Sequence, residues 1–147
     1  ACYYGCLLVR PSEITKFDDS EQPESMEKVV EMTGAKTVDW NYKVECCGAA
    51  HSIARRDIVL DLSQKIIDDA KKHGANVMVV ACPMCHTNLD MRQTAMNRVY
   101  TEHKDFPVLY LTELIGLALG MDEKELGIDL HTIKFNYNEI AAEKAAV

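Results

Sequence analysis

Val77-Met78-Val79-Val80-Ala81-Cys82-Pro83-Met84-Cys85 is the stretch on which the fold turns. Five apolar residues in unbroken succession suit a strand covered on both faces, as strands are inside a parallel sheet. Cys82 ends the run, and Pro83 fits the first turn of a following helix, where its missing N–H costs nothing. A buried strand, a short thiol-bearing loop and a helix therefore follow one another. That order is the repeating half of a βαβ unit.

Working towards the amino terminus, residues 52–73 form the clearest helix. Ile58, Leu62, Ile66 and Ala70 recur every four positions with Val59 and Ile67 beside them, and Gly74 sits just past the end. The loop 41–48 carries Cys46-Cys47-Gly48, and 36–40 reads as a short strand before it. Pro23 opens a further helix with Met26, Val29, Val30 and Met32 inward and Gly34 as its stop, behind a polar, acidic loop at 12–22. Residues 1–6 read as the end of a first strand, which 7–11 leave. Towards the carboxyl terminus, a helix over about 84–103 places Leu89, Met96 and Val99 on one face. Pro107 then precedes a fourth strand at 108–111, and Thr112 is a candidate cap for a helix ending at Gly120. Residues 122–127 make a turn or two, and 128–147 are weakly patterned.

The expected fold is α/β: one domain with a small parallel sheet of about four strands flanked by helices, cysteines at the carboxyl ends of the strands. The 147 residues suffice for a single core, and the apolar (48%) and charged (27%) fractions are ordinary for a globular chain. A net charge of −7 without a basic cluster argues against nucleic acid as a partner. No apolar run has the length of a membrane span, and no secretory leader is visible, so a cytoplasmic location is expected. The chain opens on Ala1, partway into a strand, and reads as one domain of a longer subunit.

Six cysteines are the unusual feature: Cys2, Cys6, Cys46, Cys47, Cys82 and Cys85. A disulfide scaffold fits poorly, because the chain has a core of its own and vicinal cysteines make awkward disulfide partners. Cys6 and Cys82 end strands, and Cys46 and Cys47 lie in the loop after another, so five thiols from three loops converge on the sheet edge where α/β ligands bind. Thiolates select zinc or iron–sulfur clusters. Adjacent cysteines suit several irons better than one tetrahedral ion, and Gly48 allows a close backbone approach. An iron–sulfur site is the first reading and zinc the second; the rival function is a zinc- or disulfide-stabilised interaction domain without redox activity.

The pattern Cys6, Cys46-Cys47-Gly48 and Cys82-Pro83-Met84-Cys85 resembles the cysteine-rich, or CCG, domain. Tyr4-Gly5-Cys6-Leu7-Leu8-Val9-Arg10-Pro11 resembles the carboxy-terminal repeat of the B subunits of CoB–CoM heterodisulfide reductases. The resemblance implies a CCG domain over 1–147 of a two-repeat protein. It also implies a non-cubane [4Fe–4S] cluster held by Cys6, Cys46, Cys47, Cys82 and Cys85, with Gly48 beside it. The implied activity is that of an oxidoreductase, the reductive cleavage of a disulfide such as CoM-S-S-CoB in methanogenesis. The implied partners are the other CCG repeat, a cubane iron–sulfur subunit and a flavin subunit. An isolated domain would not act alone, and a cluster-free sample could carry zinc.

Cys82-x-x-Cys85-His86 also has the form of c-type haem attachment and of a thioredoxin-like redox pair, but either would leave Cys6, Cys46 and Cys47 without a role. Cys2, some 13 Å from Cys6 along an extended strand of ~3.3 Å per residue, reads as core filler. His86 and His51 are weak candidates for proton or hydrogen-bond partners of the site. His73, His103 and His131 read as surface residues. Arg10 and Arg55 are either counterions of an anionic ligand or plain surface ion pairs, and Trp40 and Tyr42 cover the site. The acidic run 18–21 reads as solvated loop.

Overall fold

The computed structural model describes residues 1–103 and 105–136. Its sheet has three strands, β1 (Cys2–Tyr3), β2 (Met78–Val80) and β3 (Val108–Tyr110), in the order β1-β2-β3. Both pairings are parallel, with Cys2 opposite Val79 and Val79 opposite Leu109. The helices are α1 (Ser12–Thr15), α2 (Ser25–Met32), α3 (Arg56–Lys72), α4 (Pro83–Leu89), α5 (Gln93–Val99), α6 (Leu111–Ala118) and α7 (Glu123–Leu126). The α/β class, the parallel sheet and the flanking helices are as the sequence predicts.

Strand periodicity sorts the core into two layers. Tyr3, Met78, Val80 and Val108 face Ile66 and Ile67 of α3, Leu89 of α4 and Met96 of α5. Cys2 and Val79 face the other way, against Met26 and Val30 of α2 and Leu111 and Leu114 of α6. The sheet is therefore covered on both sides, and its strands contain almost nothing but apolar residues. Leu109, Ile128 and Phe135 make a third, smaller cluster that anchors the weakly patterned stretch after α7. Residues 137–147 lie outside the described residues.

Several expectations are corrected. Residues 36–40 form no strand. The indole Nε1 of Trp40 donates to the Cys2 carbonyl at 3.1 Å, so a side chain occupies an acceptor on β1 that a neighbouring strand would use. The amides of Tyr4 and Gly5 both donate to the Lys43 carbonyl, at 2.8 and 3.2 Å. The long helix over 84–103 is two helices. Between them the buried Asp90 turns its carboxylate onto the backbone N–H groups of Thr132 and Ile133, at 2.8 and 3.0 Å. The acidic run is not idle either: Asp18 accepts from the N–H groups of Glu24 and Ser25 at 3.0 and 2.8 Å, capping α2 from a distance. The cap of α6 is likewise not Thr112 but Tyr110, whose N–H donates to Glu113 at 2.7 Å.

Candidate metal centre

The site is assembled by the chain's exits from β1 and β2. After β1, Gly5 takes φ +66° and turns the backbone so that Cys6 leaves the sheet at its carboxyl edge. After β2, Cys82 is the extended residue before α4, and Cys85 lies in the first turn of that helix. The third contribution is the loop ahead of α3. Because Lys43 O holds Tyr4 N and Gly5 N, the segment that follows it, with Cys46 and Cys47, is fixed against the Gly5-Cys6 turn.

These placements bring the thiols together. The sulfurs of Cys47 and Cys85 are 3.6 Å apart. Cys6 lies close enough to Cys46, and Cys85 to Cys82, for each pair to shift the acidity of its members. All six cysteines, Cys2 included, are unbridged. Cys47 and Cys85 are buried, Cys6 and Cys82 half-buried and Cys46 exposed, so the group runs from the core outward to solvent.

A shared proton separates two of these thiols. The Cys85 thiol donates to Cys47, which brings Cys47 down to about 6, and the Asn88 amide adds a second donor. The Asn88 Nδ2 stands 3.5 Å from Cys47 Sγ and 3.4 Å from Cys47 O. Cys85 keeps its proton and is pushed up, first as the donor of the pair and then by burial. Cys6 is raised to about 11 by burial and by the Cys46 thiol. Thiolate character is thus concentrated at the buried Cys47, where soft metals find their ligand.

Two glycines make room. A Cβ on Gly5 would stand 3.0 Å from Cys85 Sγ. Gly48, at φ +80°, faces α3 instead of the thiols: its Cβ would meet Leu62 Cδ1 at 3.1 Å and the Val59 Cα at 3.4 Å. Gly48 therefore serves the close packing of the loop on α3, and Gly5 is the residue that clears the thiol space. Gly48 also leads into a single 3-10 turn, Ala49–His51, and Gly48 N donates to Cys46 Sγ at 3.3 Å.

Several residues that sequence reasoning passes over complete the site. Asn88 follows Cys85 by three positions and so shares its helix face, a spacing that could have singled it out. Its Oδ1 accepts from Arg92 Nε at 2.9 Å and from Ser52 Oγ at 3.2 Å, and Arg92 Nη2 reaches the Ser52 carbonyl at 2.9 Å. Arg92, not Arg10 or Arg55, is the guanidinium that braces the Cys46-Cys47 loop against α4. Arg10 pairs with Glu21 at 2.8 Å and Arg55 with Asp57 at 2.7 Å, both as surface contacts. Tyr3 lies beneath the thiols, with its hydroxyl on the Glu45 carbonyl at 2.7 Å. Trp40 packs on Tyr3 with ring centroids 6.2 Å apart, inside the core.

The remaining candidates divide. Cys2 is buried on the opposite face of the sheet and belongs to the core. His51 is exposed. His86 is buried, its ring stacked on Tyr110 at 4.3 Å. His103 is buried against Gln93 at 3.2 Å, and the His131 side chain is only 8% exposed, so neither is a surface residue.

Residues 1–90, which carry all of these thiols, match the family described as a cysteine-rich domain, CCG. The chain belongs to that family. It is 37% identical over 136 residues to the B subunit of the ferredoxin:CoB-CoM heterodisulfide reductase of Methanosarcina mazei, covering 91% of this chain and 45% of that protein. It is 34% identical over 144 residues to the 8-methylmenaquinol:fumarate reductase membrane anchor subunit of Wolinella succinogenes, covering 98% of this chain and 48% of that one. The chain thus spans about half the length of these curated relatives. Among the described residues, no helix is long and apolar enough to cross a membrane.

Proposed function

We propose that Cys6, Cys46, Cys47, Cys82 and Cys85 hold a non-cubane [4Fe–4S] cluster, and that this CCG domain is an iron–sulfur redox module of a heterodisulfide-reductase-like B subunit. The observation that carries the reading is the meeting of five thiols from three loops at the carboxyl edge of the sheet. The donor set fits a multi-iron group better than one zinc ion. One tetrahedral zinc takes four ligands, whereas five cysteines are offered here and two of them, Cys46 and Cys47, are adjacent in the chain. The missing Cβ of Gly5 lets Cys85 Sγ stand close to the backbone of the Cys6 turn, so that the two cysteines can share one ligand.

When bound, such a cluster supplies one-electron chemistry and a soft iron with affinity for sulfur. The chain's own residues hold and tune it. Asn88 directs its amide at Cys47 Sγ, Arg92 fixes Asn88, and Cys46 is the exposed thiol of the set. The reaction is the two-electron reduction of a disulfide, CoM-S-S-CoB or an analogue. The S–S bond breaks, and two electrons and two protons yield two thiols. Electrons come from a cubane iron–sulfur subunit supplied by a flavin subunit. The other CCG repeat of the same protein faces this one across the substrate, so residues 1–147 are one domain of a two-repeat chain. The free thiols suit a reducing compartment, the cytoplasm.

Electron paramagnetic resonance of the oxidised, iron-loaded protein tests the reading. A signal that changes when one of the two product thiols is added supports a substrate-binding iron. A spectrum indifferent to every thiol contradicts it.

A further inference from the structure

His86, Glu113 and His131 come from three separate elements: α4, α6 and the turn after Ile128–Leu130. Each offers a ligand atom, and these atoms all lie within 4.8 Å of one another. Glu113 Oε1 and His131 Nε2 are 3.1 Å apart, and the rings of His86 and His131 meet edge to face at 4.5 Å. The outward-facing atoms are already committed to the backbone of β3. His86 Nε2 lies 3.2 Å from the Val108 carbonyl, which assigns the proton to Nε2 and leaves Nδ1 with a free lone pair. Glu113 Oε2 accepts the Tyr110 N–H at 2.7 Å. Metal-ligating histidines and carboxylates carry such outer hydrogen bonds, which fix tautomer and orientation. His131 turns Nε2 to Glu113, so Nε2 is the atom it would offer a metal, while its Nδ1 is buried on the other side of the ring.

We propose that His86, Glu113 and His131 form a second metal centre, a buried two-histidine, one-carboxylate site for zinc. Zinc accepts this donor set, has no d-electron preference to impose, and at ~2.0–2.2 Å from nitrogen or oxygen would hold neighbouring ligand atoms roughly 3.3 Å apart. The positive charge also compensates a carboxylate whose side chain is only 10% exposed. Three protein ligands would leave the fourth position of the tetrahedron to water; the centre clips α4 to α6 and to the carboxy-terminal turn, at the residue next to Cys85, and so fixes the helix that presents Cys82 and Cys85. Its ligands contain no sulfur, which makes it separable from the thiol site whatever that site holds.

The test is metal analysis and zinc K-edge absorption of anaerobically purified, iron-loaded protein equilibrated with zinc. The expected result is one zinc per chain with a nitrogen/oxygen shell at about 2.0–2.1 Å and no sulfur shell at about 2.3 Å. That zinc should survive Cys46→Ser and be lost in His131→Gln and Glu113→Gln. The wild-type spectrum decides the matter even if either buried variant fails to fold. No retained zinc, or zinc bound through sulfur and lost in Cys46→Ser, overturns the proposal; the latter would also count against the cluster.

Discussion

Gly5 and Cys85 are in contact across the site: the position that a Cβ on Gly5 would occupy is 3.0 Å from the Cys85 sulfur. The same glycine has φ +66°, a conformation in which an L residue is strained by about 1–2 kcal/mol. Gly5 thus satisfies two demands at once, the turn that carries Cys6 out of β1 and the free space in front of Cys85. Gly5→Ala should lower the thermal midpoint of the domain and reduce its iron occupancy further than that loss of stability explains. Iron content measured well below the melting transition separates the two effects. Full occupancy in the folded variant would show that the space is not needed.

Asn88 should set the acidity of Cys47. In cluster-free protein under reducing conditions, Cys47 is brought down to about 6 by the Cys85 thiol and by Asn88. The thiolate ultraviolet band should therefore rise between about pH 5 and 7, well below the range of an ordinary cysteine at about 8.5. Asn88→Ala removes one of the stabilising donors, so the same rise should move to higher pH. Cys47→Ser should abolish it. An unchanged titration in Asn88→Ala would put the whole effect on Cys85.

A buried ion pair underlies the loop that carries Cys46 and Cys47. Lys43 Nζ is 3.0 Å from Glu27 Oε1, with side-chain exposures of 8% and 13%, and Glu27 also accepts the Tyr4 hydroxyl. Removing one partner of such a pair leaves the other uncompensated, at a cost of about 3–5 kcal/mol. Lys43→Ala should cost that much in chemical denaturation. The double change Lys43→Met with Glu27→Leu should recover most of it, since apolar replacements of both partners are often neutral or stabilising.

Much of this arrangement is legible from residue order. The continuous apolar run before Cys82 implies a central parallel strand, and strand ends in parallel sheets imply a shared ligand edge, so the convergence of Cys6, Cys46, Cys47, Cys82 and Cys85 follows from local patterns. What resists reading is tertiary. Nothing local in Lys36 to Trp40 says that an indole will occupy the Cys2 carbonyl instead of a strand. Asp90 breaks a helical pattern because residues more than forty positions away need its carboxylate. Glycines look alike in sequence, and only the three-dimensional packing assigns Gly48 to α3 and Gly5 to the thiols. His131 sits in a weakly patterned segment, and its partners His86 and Glu113 are brought to it by the fold alone.

Asp18 gives the domain a pH-dependent element away from the thiols. Against a desolvation cost, its carboxylate accepts bonds from Ser25 and from the backbone N–H groups of Asp19 and Glu24, and it is held at about 2, where an ordinary value is about 3.9. A depressed carboxylate contributes stability that is present above its unfolded value and is lost as the pH falls through the folded one. Asp18→Asn should therefore be less stable than wild type above about pH 4, with the gap closing towards pH 2. A gap that persists at the lowest pH would assign the loss to something other than the charge.

The central claim is that the five converging thiols hold iron and sulfide, and it is tested most directly by quantifying iron and acid-labile sulfide per chain after anaerobic purification or reconstitution. Roughly four irons and four sulfides are expected, with Cys6, Cys46, Cys47, Cys82 and Cys85 protected from thiol reagents in the native, loaded protein and all six cysteines reactive once it is unfolded and the cluster lost. Protein that retains no iron after reconstitution, with those five thiols free or bound to a single zinc, would contradict it.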